Sequence, residues 1–314
     1  MGTKASLAFT VTPASPYRLF VALWIVSLAI WWQAIATTLA LALRQDAYTH
    51  ILLILPVSVG LIVTEWRRRK WKPSPAVRAG SAVLGAAVLI GIGGSRWGRV
   101  DIFTGDVRLA VQMLAVVTWW IGSFLLCFGG RVVRGCIFPL FFLLWLIPMP
   151  EIGLNHVVSF LQQGTASFTR LLLVTAGVPV TQDNTTLTVP RMTLEVAQEC
   201  SSIRSSMMLV VSSVVMAYLL LRSFWGRALV VLAAIALSVA KNGVRVFTLA
   251  VLGAYVNPGV LNSPLHHQGG VLFFALALAW VFLLIWIVSW AERRSAQSAI
   301  RRQPFPQAAP SNLG

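Results

Sequence analysis

The sequence predicts an all-α fold: a polytopic integral membrane bundle of about eight transmembrane helices, with both termini cytoplasmic. Three observations carry that expectation. Hydrophobic residues make up 57% of the 314-residue chain and charged residues 11%, against roughly 25% charged in a soluble domain. A chain this apolar (mean hydropathy +0.79) cannot cover a globule with polar surface, which excludes a soluble enzyme. The apolar residues fall into runs near the ~20 residues that a spanning helix needs. The basic excess, 25 Lys and Arg against 9 Asp and Glu, gathers in short segments between those runs.

The elements follow in order. Span one, Tyr17–Leu43, is too long and too far from the N-terminus for a signal peptide. Spans two to four are His50–Trp66, Ala79–Trp97 and Val107–Phe128. Span five, Cys136–Met149, is short and proline-bearing, so it is expected to be broken or partly re-entrant. A long segment, 150–199, follows. Within it Leu154–Ala176 has helical periodicity, with Val157, Leu161, Phe168 and Leu172 apolar and Gln162, Gln163 and Arg170 polar, and reads as an interfacial helix or a shallow ninth span. Val178–Thr193 alternates around Asp183-Asn184 and Pro190 and reads as a small hairpin. Spans six to eight are Cys200–Leu221, Ala228–Leu252 and Gln268–Ala291. Residues 1–302 form one transmembrane domain in this reading, and 303–314 a disordered cytoplasmic tail rich in Pro, Ala and Gln.

Orientation follows from Lys and Arg in short loops. The run Arg67-Arg68-Arg69-Lys70 belongs in the cytoplasm, and alternation then puts Arg131, Arg134, Arg222, Arg227, Arg293 and Arg294 on the same side. The opposite side balances its charges, and Lys241 and Arg245 remain inside span seven. The net +16 is therefore a topology signal. It calls for membrane lipids as surroundings and for no nucleic acid as partner.

Ionisable residues inside spans are costly and mark function. Cys200 opens span six in Glu195-Val-Ala-Gln-Glu199-Cys200-Ser201-Ser202-Ile-Arg204. A helix start lowers a thiol pKa, and Arg204, four residues on, shares the face of Cys200. The plainer reading, a small packed Cys, suits Cys127 and Cys136. Asn242 and Arg245 share a face of span seven; the plainer reading of Arg245 is an ion pair with Glu195 or Glu199. Lys241, deeper, is expected to snorkel along span eight. His266 and His267 open span eight, as acid–base groups or as an interfacial cap. Asp46-Ala47-Tyr48-Thr49-His50 opens span two. The cysteines show no zinc spacing, and a thiol nucleophile with an acid–base group needs neither a metal nor an organic cofactor. By alternation Cys200, Arg245 and His266 meet at one outer leaflet. A thiol nucleophile, a fixed cation and an acid–base group together suit acyl transfer.

These residues resemble the exosortase/archaeosortase family of membrane cysteine transpeptidases, over about Tyr48 to Phe274. The family motif Val-Ala-x-x-Cys-Ser-Gly-Ile-Arg-Ser stands as Val196-Ala197-Gln198-Glu199-Cys200-Ser201-Ser202-Ile203-Arg204-Ser205. Asn-x-x-Arg stands as Asn242-Gly243-Val244-Arg245, and His-x-x-x-Gly with a following Phe as His266, Gly270 and Phe274. Tyr48-Thr49-His50 and Phe138-Pro139 through Pro148-Met149-Pro150 are weaker features. Ser202 replaces a Gly of the motif and Val271 a common Trp; spacing to Gly270 favours His266 over His267. The resemblance implies Cys200, Arg245 and His266 as the catalytic set, supported by Glu195, Ser201, Arg204, Asn242, His267 and His50. It also implies the substrate: C-terminal tails of exported proteins, with a short Pro-Glu-Pro type motif, a membrane helix and a basic cluster. These would be cleaved on the outer face of a bacterial plasma membrane and passed to an acceptor whose identity the sequence leaves open. Two other readings are a transporter or flippase using Lys241 and Arg245 for an anionic substrate, and a non-catalytic assembly factor for surface polysaccharide.

Overall fold

The computed structural model describes residues 15–96, 105–190, 192–196, 203–255 and 264–301. Helix accounts for 84% of it. Six helices are long and apolar enough to cross a membrane, and two bent pairs raise the number to eight if each is one span. The six overlap predicted spans two, three, four, six, seven and eight; one bent pair is span one, and the other joins span five to the helix predicted after it, at 96°. The C-terminal tail and the segments 97–104 and 256–263 lie outside the described residues. The chain divides into two compact units, Met1–Leu154 and Asn155–Gly314.

In the first unit, α1 (Pro16–Ile30) starts with proline at its first position, where the missing N–H costs nothing, and the Ser15 hydroxyl accepts from the Arg18 N–H. Span one is not straight: α1 meets α2 (Trp32–Arg44) at 77°. The joint, Trp31, contains neither proline nor glycine. Its buried ring is held edge-on against Trp119, with centroids 5.6 Å apart, and lies over Gly91. Trp119 and Trp120 stand on α5 (Gly105–Phe128) and donate their indole N–H groups to the Leu23 carbonyl and the Ser27 hydroxyl of α1, both at 2.9 Å. Tertiary packing thus sets the bend. Helix α3 (Ile51–Arg69) carries the basic run, where Glu65 pairs with Arg69 at 2.9 Å. Helix α4 (Val77–Arg96) lies so close to α5 that a Cβ on Gly80 would be 2.4 Å from Leu126 Cβ and 2.5 Å from its Cα.

Span five is broken, as its prolines predict. After the short α6 (Gly130–Gly135), helix α7 (Ile137–Phe142) runs into a 3₁₀ turn (Leu143–Leu146), and Ile147 is extended. Helix α8 (Glu151–Thr175) follows.

In the second unit, α8 buries Val158, Leu161, Thr165, Ala166, Thr169 and Leu173, one stripe along its length. The expected interfacial helix therefore has a core-facing side, and that side includes two threonines. The predicted hairpin is a three-stranded antiparallel meander, β1 (Thr181–Asp183), β2 (Thr186–Val189) and β3 (Met192–Glu195). Asn184 takes the left-handed conformation (φ 53°) at the first turn, one that Asn tolerates better than most residues. Leu187 and Val189 of β2 face inward. The sheet packs Val189 with Leu173, Ala250 and Ala254, and Leu187 with Ala166 and Val246. Three long helices complete the unit: α9 (Ile203–Leu220), α10 (Phe224–Tyr255) and α11 (Pro264–Arg301). Leu209 and Ala217 of α9, Val230 and Ala234 of α10, and Ala277, Val281 and Ile285 of α11 share one core.

Candidate functional site

Helix α10 buries Gly226, Val230, Ala234, Ser238, Lys241, Asn242, Arg245 and Leu249. Apart from the adjacent pair Lys241 and Asn242, the steps are of three and four, those of a single helical face. The polar residues of span seven therefore lie on the inward stripe, continuous with the apolar core. Lys241 is 6% exposed, Asn242 1% and Arg245 9%. Lys241 does not snorkel along the next span: its ammonium donates to the Ser205 hydroxyl of α9. A buried cation needs a polar partner, and α9 supplies one. The Asn242 amide donates to the Ser206 hydroxyl at 3.3 Å. On the neighbouring face of α10, the Thr169 hydroxyl of α8 is shared between the Thr165 carbonyl of its own helix at 2.8 Å and the Gly243 carbonyl at 3.2 Å. A Cβ on Gly243 would lie 2.6 Å from the Phe168 ring, so glycine is what lets α8 approach here.

The three-residue connection 221–223 makes α9 and α10 antiparallel neighbours, and the pairing of residues 205 and 206 with 241 and 242 fixes their register. Arg245 is three residues beyond Asn242, about 4.5 Å further from the α9–α10 turn, at the level where α9 begins. The far end of α11 is pinned to that turn. The Glu292 carboxylate accepts from the Arg222 N–H (3.0 Å), the Ser223 N–H (3.1 Å) and the Ser223 O–H (2.5 Å). The first turn of α11, with His266 and His267, is therefore at the opposite end of the bundle.

Helical rise puts the heights together. Gly226 and Val288 are level, since a Cβ on Gly226 would lie 3.0 Å from Val288. At ~1.5 Å per residue, Arg245 stands about 28 Å from that level and the backbone of His266 about 33 Å. Helix α9 is 18 residues long, so its start stands roughly 26 Å from the turn. The start of α9, Arg245 and the start of α11 thus fall within about one or two helical turns in height, at one pole of the unit. The meander occupies the same end, against the last turns of α10.

Cys200 and Ser201 lie outside the described residues, as do all of 197–202. Both flanks of that link are fixed. On one side, Val196 is buried, donates its N–H to the Thr185 carbonyl at 3.0 Å, and accepts from the Gln162 amide of α8 at 3.0 Å. On the other, Ile203 is buried at the start of α9. Glu195 is exposed at the end of β3, and Arg204 is exposed on the first turn of α9. His50 belongs to the first unit. Its Nδ1 lies 3.1 Å from the Ala47 carbonyl and its ring stands edge-on to Trp145. Its neighbour Tyr48 donates to the Met149 carbonyl at 2.8 Å. The two weaker motifs, around residues 48–50 and 138–150, are thus in contact with each other.

Sequence reasoning gave no role to Ser205, Ser206 or Gln162. The serines left only a trace, two adjacent hydroxyls five and six residues after Cys200 whose partners the sequence does not name. Gln162 left none, because its partner is a backbone carbonyl 34 residues away.

A family model described as transmembrane exosortase matches residues 31–283. No curated protein matches the chain, and no solved structure does.

Proposed function

Because the chain belongs to the transmembrane exosortase family, whose role is of the membrane transpeptidase type, we propose that it cleaves C-terminal sorting signals of exported proteins through Cys200 and transfers them to an acceptor. The observation that carries this reading is Arg245, on the buried stripe of α10 and level with the start of α9. Chain connectivity adds to it. Three residues span at most about 10–11 Å and four about 14 Å, so Cys200 is tethered that close to Ile203 and Val196.

The chemistry follows from the residue types. The Cys200 thiolate attacks the scissile carbonyl, forming a C–S bond and a tetrahedral oxyanion. Arg245 cannot lose its proton and serves as a fixed positive charge for that oxyanion. Collapse breaks the C–N bond, and His266 gives the leaving amine its proton. The acceptor then attacks the thioester, passes its proton to His266, and releases Cys200. Asn242 and Ser206 hold α10 and α9 in register; Glu195, Ser201, Arg204, His267 and His50 support the site or its substrate. The enzyme resides in the bacterial inner membrane with this pole outward. The substrate's membrane helix docks beside the bundle, its short motif at the height of Cys200 and its basic cluster in the cytoplasm.

The test is co-expression with a protein bearing a tripartite tail, followed by mass spectrometry of its new C-terminus. The wild-type enzyme yields a truncated, transferred product; Cys200→Ala yields none. Unchanged processing by Cys200→Ala overturns the proposal. Full function in Cys200→Ser with loss in Arg245→Ala supports transport instead.

A further inference from the structure

Resting on the nucleophilic role of Cys200, we infer that Gln162 is a positioning residue for the nucleophile. The segment holding Cys200 leaves the meander at Val196, and Val196 is fixed in three ways. Its side chain is 1% exposed, among Ala166, Leu187 and Val246. Its N–H donates to the Thr185 carbonyl, which continues the sheet by one residue. Its own carbonyl is the third point of attachment. That carbonyl accepts from the Gln162 amide at 3.0 Å.

Gln162 is therefore the point at which α8 grips the backbone four residues before Cys200. Its own helix is anchored in turn, by Thr169 on the Gly243 carbonyl and by Leu161 and Ala166 in the core. Gln162 thus couples the nucleophile-bearing segment to the α8–α10 pair that carries Arg245. A nucleophile and its oxyanion group must hold a fixed separation, and displacements near 1 Å cost roughly a hundredfold in rate. The next residue, Gln163, provides the contrast. It is exposed, and its amide donates to Ser159 of the same helix.

Gln162→Glu keeps shape and length but removes the donor, setting two acceptors against each other. Gln162→Met removes the donor without adding charge. Both are compared with Gln163→Glu in the full-length protein, by processing kinetics, by the maleimide labelling rate of Cys200 across pH, and by thermal unfolding. Cys127 and Cys136 are 1% and 0% exposed, so labelling of the folded protein reports Cys200. The expected result for both Gln162 variants is a fall in kcat of about tenfold or more with KM within about twofold. The pH profile of Cys200 labelling is displaced, and Gln163→Glu is unchanged in all three readouts. Wild-type kcat and labelling in the Gln162 variants overturn the inference. So does a loss of folded protein in which the remaining folded fraction keeps wild-type kcat and labelling, since that is a purely structural role. If Cys200→Ala still processes substrate, the functional reading itself fails. If Cys200→Ala is inactive and the Gln162 variants are wild-type, only this inference fails.

Discussion

Arg245 sits where charge alone does not define the need. Its planar guanidinium offers five donors in a fixed fork, whereas a lysine offers a mobile point charge. Arg245→Lys preserves the charge on the buried stripe of α10, and its expected outcome is a kcat reduced by about a hundredfold with a nearly unchanged unfolding temperature. Processing assays and thermal scans of the same preparation check it; kcat within threefold of wild type removes Arg245 from the oxyanion role. Much of this residue's environment was legible in the sequence. The three-residue spacing of Asn242 and Arg245 put them on one face, and the structure buries both. The partner of Lys241 was not legible, because spacing within a helix cannot say which neighbouring helix supplies a hydroxyl. Gln162 read as one of several polar residues on α8 for a related reason. The role proposed for it depends on the chain just past β3, where Val196 packs with Leu187.

At the scale of elements, close approach of α4 and α5 rests on Gly80. Gly80→Ala places a Cβ against the backbone of Leu126, which no rotamer change relieves, so the helices must separate. The expected cost is about 1–3 kcal/mol, seen as a lower unfolding temperature in detergent. Gly85→Ala, on the same helix with nothing within 4 Å, is expected to be neutral or stabilising by a fraction of about 1 kcal/mol. Equal behaviour of the two variants refutes the packing account. Breaks in the helices were legible in one case and not in the other. Span five advertised its break through Pro139, Pro148 and Pro150. Span one gave no signal, since its 77° bend at Trp31 is imposed by Trp119 and Gly91 from distant helices. The meander was foreseen as a hairpin. Its third strand was missed because Met192–Glu195 is short and gains its identity by pairing with β2.

At the scale of the whole molecule, basic residues set the proposed orientation. A fluorescent reporter fused after Gly314, which folds only in the cytoplasm, is expected to light up, and alkaline phosphatase inserted at Asn184 is expected to be active outside. The reverse pattern overturns the orientation and the outward-facing site with it. Six of the spans were legible as single long helices because length and apolarity are local properties of a chain; division into two compact units was not, since it depends on which helices touch. That division has an optical consequence. Trp24 and Trp120 lie nearly parallel, their rings 5.0 Å apart and 28° from coplanar, close enough for their electronic transitions to couple. The described tryptophans of the second unit, Trp225, Trp280, Trp286 and Trp290, are exposed. A near-ultraviolet dichroism couplet therefore reports the first unit's packing, and its loss on heating can be timed against helix melting to show whether the two units unfold together or in succession.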